Sequence, residues 1–164
     1  MSLFYLDTST LVKRYKREKG SDVIDVLFER KSQADRVVVS FLAVIEVTGA
    51  ASRLRQKGIL GEEEATELLA SFNRDVSEEI DLFPISESIL GLAVKLANTH
   101  GLRAADSIHL AAMLELNESA KEAGIEFLAV VADRSLCDAA TREGLKALNP
   151  ETSGSLNQLE TFIA

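Results

Sequence analysis

Asp7, Glu46, Asp106 and Asp133 are the residues whose type and setting point to chemistry. Asp7 closes the apolar run Leu3-Phe4-Tyr5-Leu6, and Asp133 lies just beyond the run from Phe127 to Val131. Both runs read as buried strands, which puts both carboxylates at strand ends. Glu46 breaks the apolar stretch from Phe41 to Val47, one turn into a helical pattern, on the face it shares with Leu42, Gly49 and Ala50. Asp106 lies on the stripe of Leu102, His109, Leu110 and Met113, in the first turn of a later helix. A carboxylate on an inward face must be hydrogen-bonded, paired or bound to a cation, because burying it bare costs several kcal/mol. If the four converge, each pair about 4 Å apart repels by roughly 4 kcal/mol at an effective dielectric of 20. A hard divalent cation removes that cost. Oxygen donors with one cysteine and two histidines in the whole chain favour Mg²⁺ or Mn²⁺ over zinc or copper. Such an ion, alone or as a pair, activates water and stabilises a leaving oxygen in phosphodiester cleavage.

Each residue also has a plainer reading. Asp7 and Asp133 suit the N-caps of the helices that follow them. Glu46 has Arg53 within salt-bridge reach along its helix, and Asp106 gains from the helix dipole in the first turn. His109, one turn after Asp106, reads most simply as a packed core histidine.

The elements that must position these groups alternate along the chain. Short apolar runs at Leu3–Leu6, Val37–Val39, Ile80–Phe83, Phe127–Val131 and Lys146–Leu148 predict five strands. Helical patterns run between them: after the caps Thr8, Ser9 and Thr10, over Ser21–Arg30, Leu42–Lys57, Gly61–Val76, Ser86–His100, Arg103–Ala123 and Ser135–Glu143. This alternation predicts one α/β domain, a three-layer α/β/α sandwich around a central parallel sheet of about five strands. Residues 1–150 form that domain in this reading, and 151–164 are a polar C-terminal tail, weakly helical near its end. In open parallel sheets, ligands bind beyond the carboxyl ends of the strands where strand order reverses. If the first and fourth strands are neighbours there, Asp7 faces Asp133.

Length and composition narrow the alternatives. The chain has 164 residues, one domain's worth, with 46% hydrophobic and 27% charged residues, so a packed core is expected. One cysteine, Cys137, permits neither an internal disulfide nor a cysteine-built zinc site and fits a reducing cytosol. The sequence has no membrane-length apolar run and no signal-like start, so a cytoplasmic location is expected. The net charge of −8 runs against a nucleic-acid partner unless cations or a basic protein offset it. Setting the four acids aside weakens the excess without removing it, since Glu62-Glu63-Glu64 and Glu78-Glu79 lie elsewhere. Lys13, Arg14, Lys16, Arg17, Arg53, Arg55, Lys57, Arg103 and Arg134 are positioned to grip phosphates or, individually, to form ordinary surface pairs.

In order and spacing, Leu6-Asp7-Thr8-Ser9-Thr10-Leu11-Val12-Lys13, the inward Glu46, the segment Leu102 to Ala111 and Val131-Ala132-Asp133-Arg134 resemble the PIN-domain nucleases. The likeness is strongest to the VapC-type toxins of prokaryotic toxin–antitoxin pairs and covers about residues 1–150. It implies an endoribonuclease whose acids coordinate Mg²⁺ or Mn²⁺. Asp7 and Asp106 would be the main ligands, Glu46 would complete the site or orient the attacking water, and Asp133 would be the fourth member. Ser9 matches a hydroxyl that supports Asp7 or a metal-bound water, and Arg103 is a candidate supporting or substrate residue. The resemblance also implies RNA as substrate, a cognate antitoxin and a homodimer.

Other classes fit less well. A haloacid-dehalogenase phosphatase also begins with Asp after its first strand but needs a second Asp two residues on, where this chain has Ser9. A response-regulator receiver needs a phosphoacceptor Asp after the third strand, and Pro84-Ile85-Ser86 offers none. A PIN-like module that binds without catalysis has no reason to keep four mutually repelling acids. A PIN nuclease acting in general RNA processing remains the alternative to a toxin.

Overall fold

A computed structural model describes residues 1–163. The first half of the chain runs β1 (Ser2–Leu6), α1 (Thr8–Leu11), a 3-10 turn (Val12–Arg14), α2 (Ser21–Arg30), β2 (Arg36–Ser40), α3 (Phe41–Gln56), α4 (Glu62–Glu78) and β3 (Ile80–Phe83). The second half adds α5 (Glu87–His100), α6 (Ala104–Glu122), β4 (Glu126–Val130), α7 (Arg134–Arg142), β5 (Ala147–Leu148) and α8 (Ser155–Ile163). The strands form one parallel sheet in the order β3-β2-β1-β4-β5. The chain winds outward from β1 through β2 to β3, then returns to place β4 on the other side of β1. The reversal therefore lies between β1 and β4, where Leu6 stands opposite Val130.

Alternation along the strands divides the core into two layers. Tyr5, Val38 and Ala129 face one side and pack with Ile89 of α5, Leu110 and Met113 of α6, and Leu136 of α7. Phe4, Leu6, Val37, Val39, Leu128 and Val130 face the other, against Val23, Ile24 and Leu27 of α2, Val47 of α3 and Phe72 of α4. Because both faces are covered, the strands read as continuous apolar runs. Helix ends follow local chemistry. Ser86 accepts the N–H of Ile89 at the start of α5, and Gly101 ends that helix in the left-handed region (φ 65°).

Most element ends fall within a residue or two of expectation. The fourth strand is Glu126–Val130, shifted by one residue from Phe127–Val131, although the N–H of Val131 still bonds the Leu148 carbonyl at 2.9 Å. The larger difference is the C-terminal segment. Expected as a polar tail, weakly helical near its end, it packs onto the core as α8, whose Leu159 is fully buried and whose Phe162 meets Phe4 edge-on with ring centroids 5.5 Å apart. Leu156, Leu159 and Phe162 recur every third residue, a stripe that lies on the core once it is wound into a helix. Gly20 helps seat this segment: with φ 85°, it approaches Pro150 so closely that a Cβ would stand 2.9 Å from the Pro150 carbonyl. Among the described residues, no helix is long and apolar enough to cross a membrane.

Candidate active site

The end of β1 and the end of β4 are joined through Asp7. Its carboxylate, 3% exposed, caps α1: Oδ1 accepts the N–H of Thr10 at 3.1 Å and that of Ala132, beyond β4, at 3.3 Å. The Ser9 hydroxyl donates to Oδ2. The N–H of Ala132 is shared with the Thr10 hydroxyl oxygen at 2.8 Å. Asp133 caps α7 in the same way, its Oδ1 accepting the Leu136 N–H at 2.9 Å. Capping and a place at the reversal coexist in both residues, because a carboxylate has lone pairs left after a cap.

Glu46 projects from α3 toward α6. Its Oε2 accepts hydrogen bonds from the Thr8 hydroxyl and from Nε2 of His109, the latter at 2.9 Å. Burial pushes the Glu46 carboxyl up, but the donors on His109 and Thr8 outweigh it and hold the pKa below the ordinary value. Asp106 behaves in the opposite way. Burial raises its pKa most and the neighbouring charge of Asp133 adds to the rise, while Arg103 pulls the other way and Asp7 adds least. The charges of Asp133 and Asp7 thus both act on Asp106.

These groups line a single cleft of about 410 Å³ at the reversal, with Asp7, Ser9, Glu46, Asp106 and Asp133 all in its wall. Arg103 is not in the lining; it occupies the N-cap position of α6, near enough for its charge to favour ionised Asp106. The Arg53 side chain does line the cleft, close to Glu46. Several other bases are engaged. Lys13 is buried, with Nζ 2.9 Å from Glu18 and 2.6 Å from Glu151, and Arg14 pairs with Asp75 under Phe28. Arg17 pairs with Asp25 and Arg55 with Glu62.

Among the described residues, no three acidic, imidazole or thiol groups stand close enough to form a closed ligand shell. The donor set nevertheless fits a hard cation. All its acids offer oxygen, and an ion such as Mg²⁺ keeps several waters while taking one or two carboxylates directly. Asp133 and Asp7 also add negative charge beside the half-buried Asp106, which a cation would offset.

Two participants were not legible as such in the sequence. His109 is 2% exposed and bridges strand and helix: Nδ1 lies 2.6 Å from the Tyr5 hydroxyl while Nε2 bonds Glu46. The available signal was its place one turn after Asp106, on the same stripe. Glu151 reaches the rim from the segment expected as a tail, held by its N–H bond to Asn149 Oδ1 at 2.8 Å. Asn149 in turn donates to the Ala132 carbonyl at 2.9 Å, so the segment is tied to the β4 end of the cleft.

A parallel sheet reversing beside β1, with capped aspartates at both strand ends and two more acids from helices, defines an α/β domain with an acid-lined crevice. Residues 4–142 match the PIN domain family, and the chain belongs to it. Solved structures share the fold. VapBC-1 from nontypeable Haemophilus influenzae aligns with TM-score 0.62 and 17% identity over 92% of this chain and 99% of that one. VapBC2 from Rickettsia felis, bound to a DNA fragment from its promoter, aligns with TM-score 0.60 and 14% identity over 90% and 98%. Mycobacterium tuberculosis VapC20, described as a Sarcin-Ricin loop cleaving toxin, aligns with TM-score 0.57 and 15% identity over 87% and 95%. No curated protein matches the sequence.

Proposed function

We propose that the chain is a Mg²⁺- or Mn²⁺-dependent endoribonuclease, the toxin of a toxin–antitoxin pair. The observation that carries this reading is the lining of one cleft at the β1/β4 reversal by Asp7, Glu46, Asp106 and Asp133. Membership of the PIN family and the likeness to VapBC complexes and to a VapC toxin described as Sarcin-Ricin loop cleaving support it. In this reading, residues 1–150 form the nuclease unit and 151–164 add the Glu151 rim and α8. The substrate is RNA, the protein partners are a cognate antitoxin and a second copy of the chain, and the setting is cytoplasmic.

Asp7 and Asp106 would hold the ion, with Asp133 beside them and Glu46 completing the set or orienting the attacking water. When bound, the cation supplies an activated water and stabilises the leaving oxygen. The chain's own groups do the rest. Ser9 and the N–H groups of Thr10 and Ala132 fix the rotamer of Asp7. Arg53 presents a positive charge to the phosphate backbone from the cleft wall, and Arg103 does so from beside it.

RNA cleavage assayed with Mg²⁺, with Mn²⁺ and with EDTA tests the reading. Cleavage requires metal and is lost in Asp7→Asn and Asp106→Asn; cleavage unchanged in either variant overturns the mechanism. Expression with and without the neighbouring small open reading frame separates a toxin from a processing nuclease. A toxin arrests growth only without its partner.

A further inference from the structure

The Glu46 carboxylate is held by one oxygen. Both of its hydrogen bonds, from Thr8 and from His109, end on Oε2, and among the described residues none ends on Oε1. The donor on the His109 side is itself prepared. Tyr5 is fully buried on β1, with its hydroxyl against the His109 ring. Nε2 faces the Glu46 carboxylate, which only accepts, so in the neutral ring the proton lies on Nε2 and Nδ1 accepts from the Tyr5 O–H, 2.6 Å away.

We propose that His109 is a positioning residue: the relay from Tyr5 through His109 to Glu46 Oε2 locks the glutamate so that Oε1 is presented to a divalent cation in the cleft. The proposal rests on the metal-dependent reading of this cleft given above. The physical basis is entropic and geometric. A glutamate on a helix has three rotatable side-chain bonds, and a ligand that must be ordered at the moment of binding weakens the site. Partners that orient a ligating carboxylate typically contribute about 10–100-fold in metal affinity. Packing alone does not require a donor at Nε2, and that difference makes the idea testable.

The test is Mn²⁺ binding by the full chain, followed by loss of the free-ion EPR signal, for wild type, His109→Ala, His109→Gln and His109→Asn. The amide nitrogen of Gln occupies the place of Nε2 and can donate to Glu46, whereas that of Asn corresponds to Nδ1. The expected result is affinity about 10–100-fold weaker in His109→Ala and His109→Asn, with most of it restored in His109→Gln. Equal affinity in wild type and His109→Ala, or equal loss in the Gln and Asn variants, overturns the proposal. If the alanine variant fails to fold, the Gln and Asn pair still decides. NMR of the neutral imidazole gives a second readout, since the chain has only two histidines. The expected proton is on Nε2 in wild type, with mixed tautomers in Tyr5→Phe; a proton on Nδ1 in wild type overturns the relay. Wild-type protein that binds Mn²⁺ but cleaves no RNA removes the nuclease reading and leaves the His109 comparison intact. Wild-type protein that binds no Mn²⁺ removes both.

Discussion

The carboxylate of Asp7 accepts the backbone N–H of Ala132 at 3.3 Å, a bond between residues 125 positions apart that ties the end of β1 to the end of β4. One side chain thus closes the reversal of the sheet and faces the cleft. The two duties separate by substitution. Asp7→Asn keeps a capping oxygen and should melt like wild type, whereas Asp7→Ala should lose about 1 kcal/mol with its cap. Both should lose cleavage by more than the roughly 10–100-fold typical of removing a supporting partner. Urea denaturation beside an RNA cleavage assay checks this.

Magnesium should raise the melting temperature, because an ion that binds the folded chain alone stabilises it. At ten times its dissociation constant the gain is about 1.4 kcal/mol, or about 3–6 °C at this chain length. Asp106→Asn should behave in reverse. Burial and the charges of Asp133 and Asp7 raise the Asp106 pKa, so its ionised form weakens the folded state, increasingly as pH rises through that pKa. Screened by solvent, the relief at pH 7 is about 0.5 kcal/mol, so the metal-free variant should melt about 1–2 °C higher. It should also respond less to magnesium. Differential scanning fluorimetry across a magnesium series reads both effects.

Acid stability should depend on Asp35, far from this chemistry. Burial alone would push its carboxyl up, but the N–H groups of Ser32 and Ser2 outweigh burial and hold the pKa below the usual value. The stability it contributes is therefore present above the unfolded pKa of about 3.9. It is lost as pH falls through the lower folded value. Asp35→Asn should cost about 1–2 kcal/mol at neutral pH and converge with wild type in strong acid. Chemical denaturation at several pH values tests the prediction.

The parts of this fold that follow from local pattern were readable, and those that depend on distant pairing were not. Strand ends at Asp7 and Asp133 and the stop at Gly101 are decided by neighbouring residues, so the sequence placed them within a residue or so. The convergence of four acids was legible because Asp7 and Asp133 follow strand ends and Glu46 and Asp106 break apolar faces. His109 was not: an inward histidine has the same periodicity whether it packs or donates, and Tyr5, its partner, lies 104 residues away. Lys13 and Glu151 were hidden likewise, since a buried lysine is recognised through its acids, one of them 138 residues on.

Helix α8 should contribute to the fold. Leu159→Ala removes a fully buried side chain and should cost about 2–5 kcal/mol. Lys13→Met strips Glu18 and Glu151 of their shared cation and should lower stability by about 1–3 kcal/mol, less than a fully buried pair would because the acids are partly solvated. Thermal melts of both variants, with unchanged melting as the contrary result, measure how far the last residues belong to the domain.

The two borders of the sheet bear on assembly. On one side β5 has two residues, and on the other β3 has four, stops at Pro84 and carries Asp81 paired with Arg36. Rims so brief and charged offer no template for strand addition. Most of the outward large apolar side chains instead stand on helices, Phe41 and Ile45 of α3 and Leu90 and Val94 of α5, with Ile59 in the turn after α3 and Met1 at the N-terminus. Contacts made through these helix faces would leave the crevice mouth free of cross-chain β pairing.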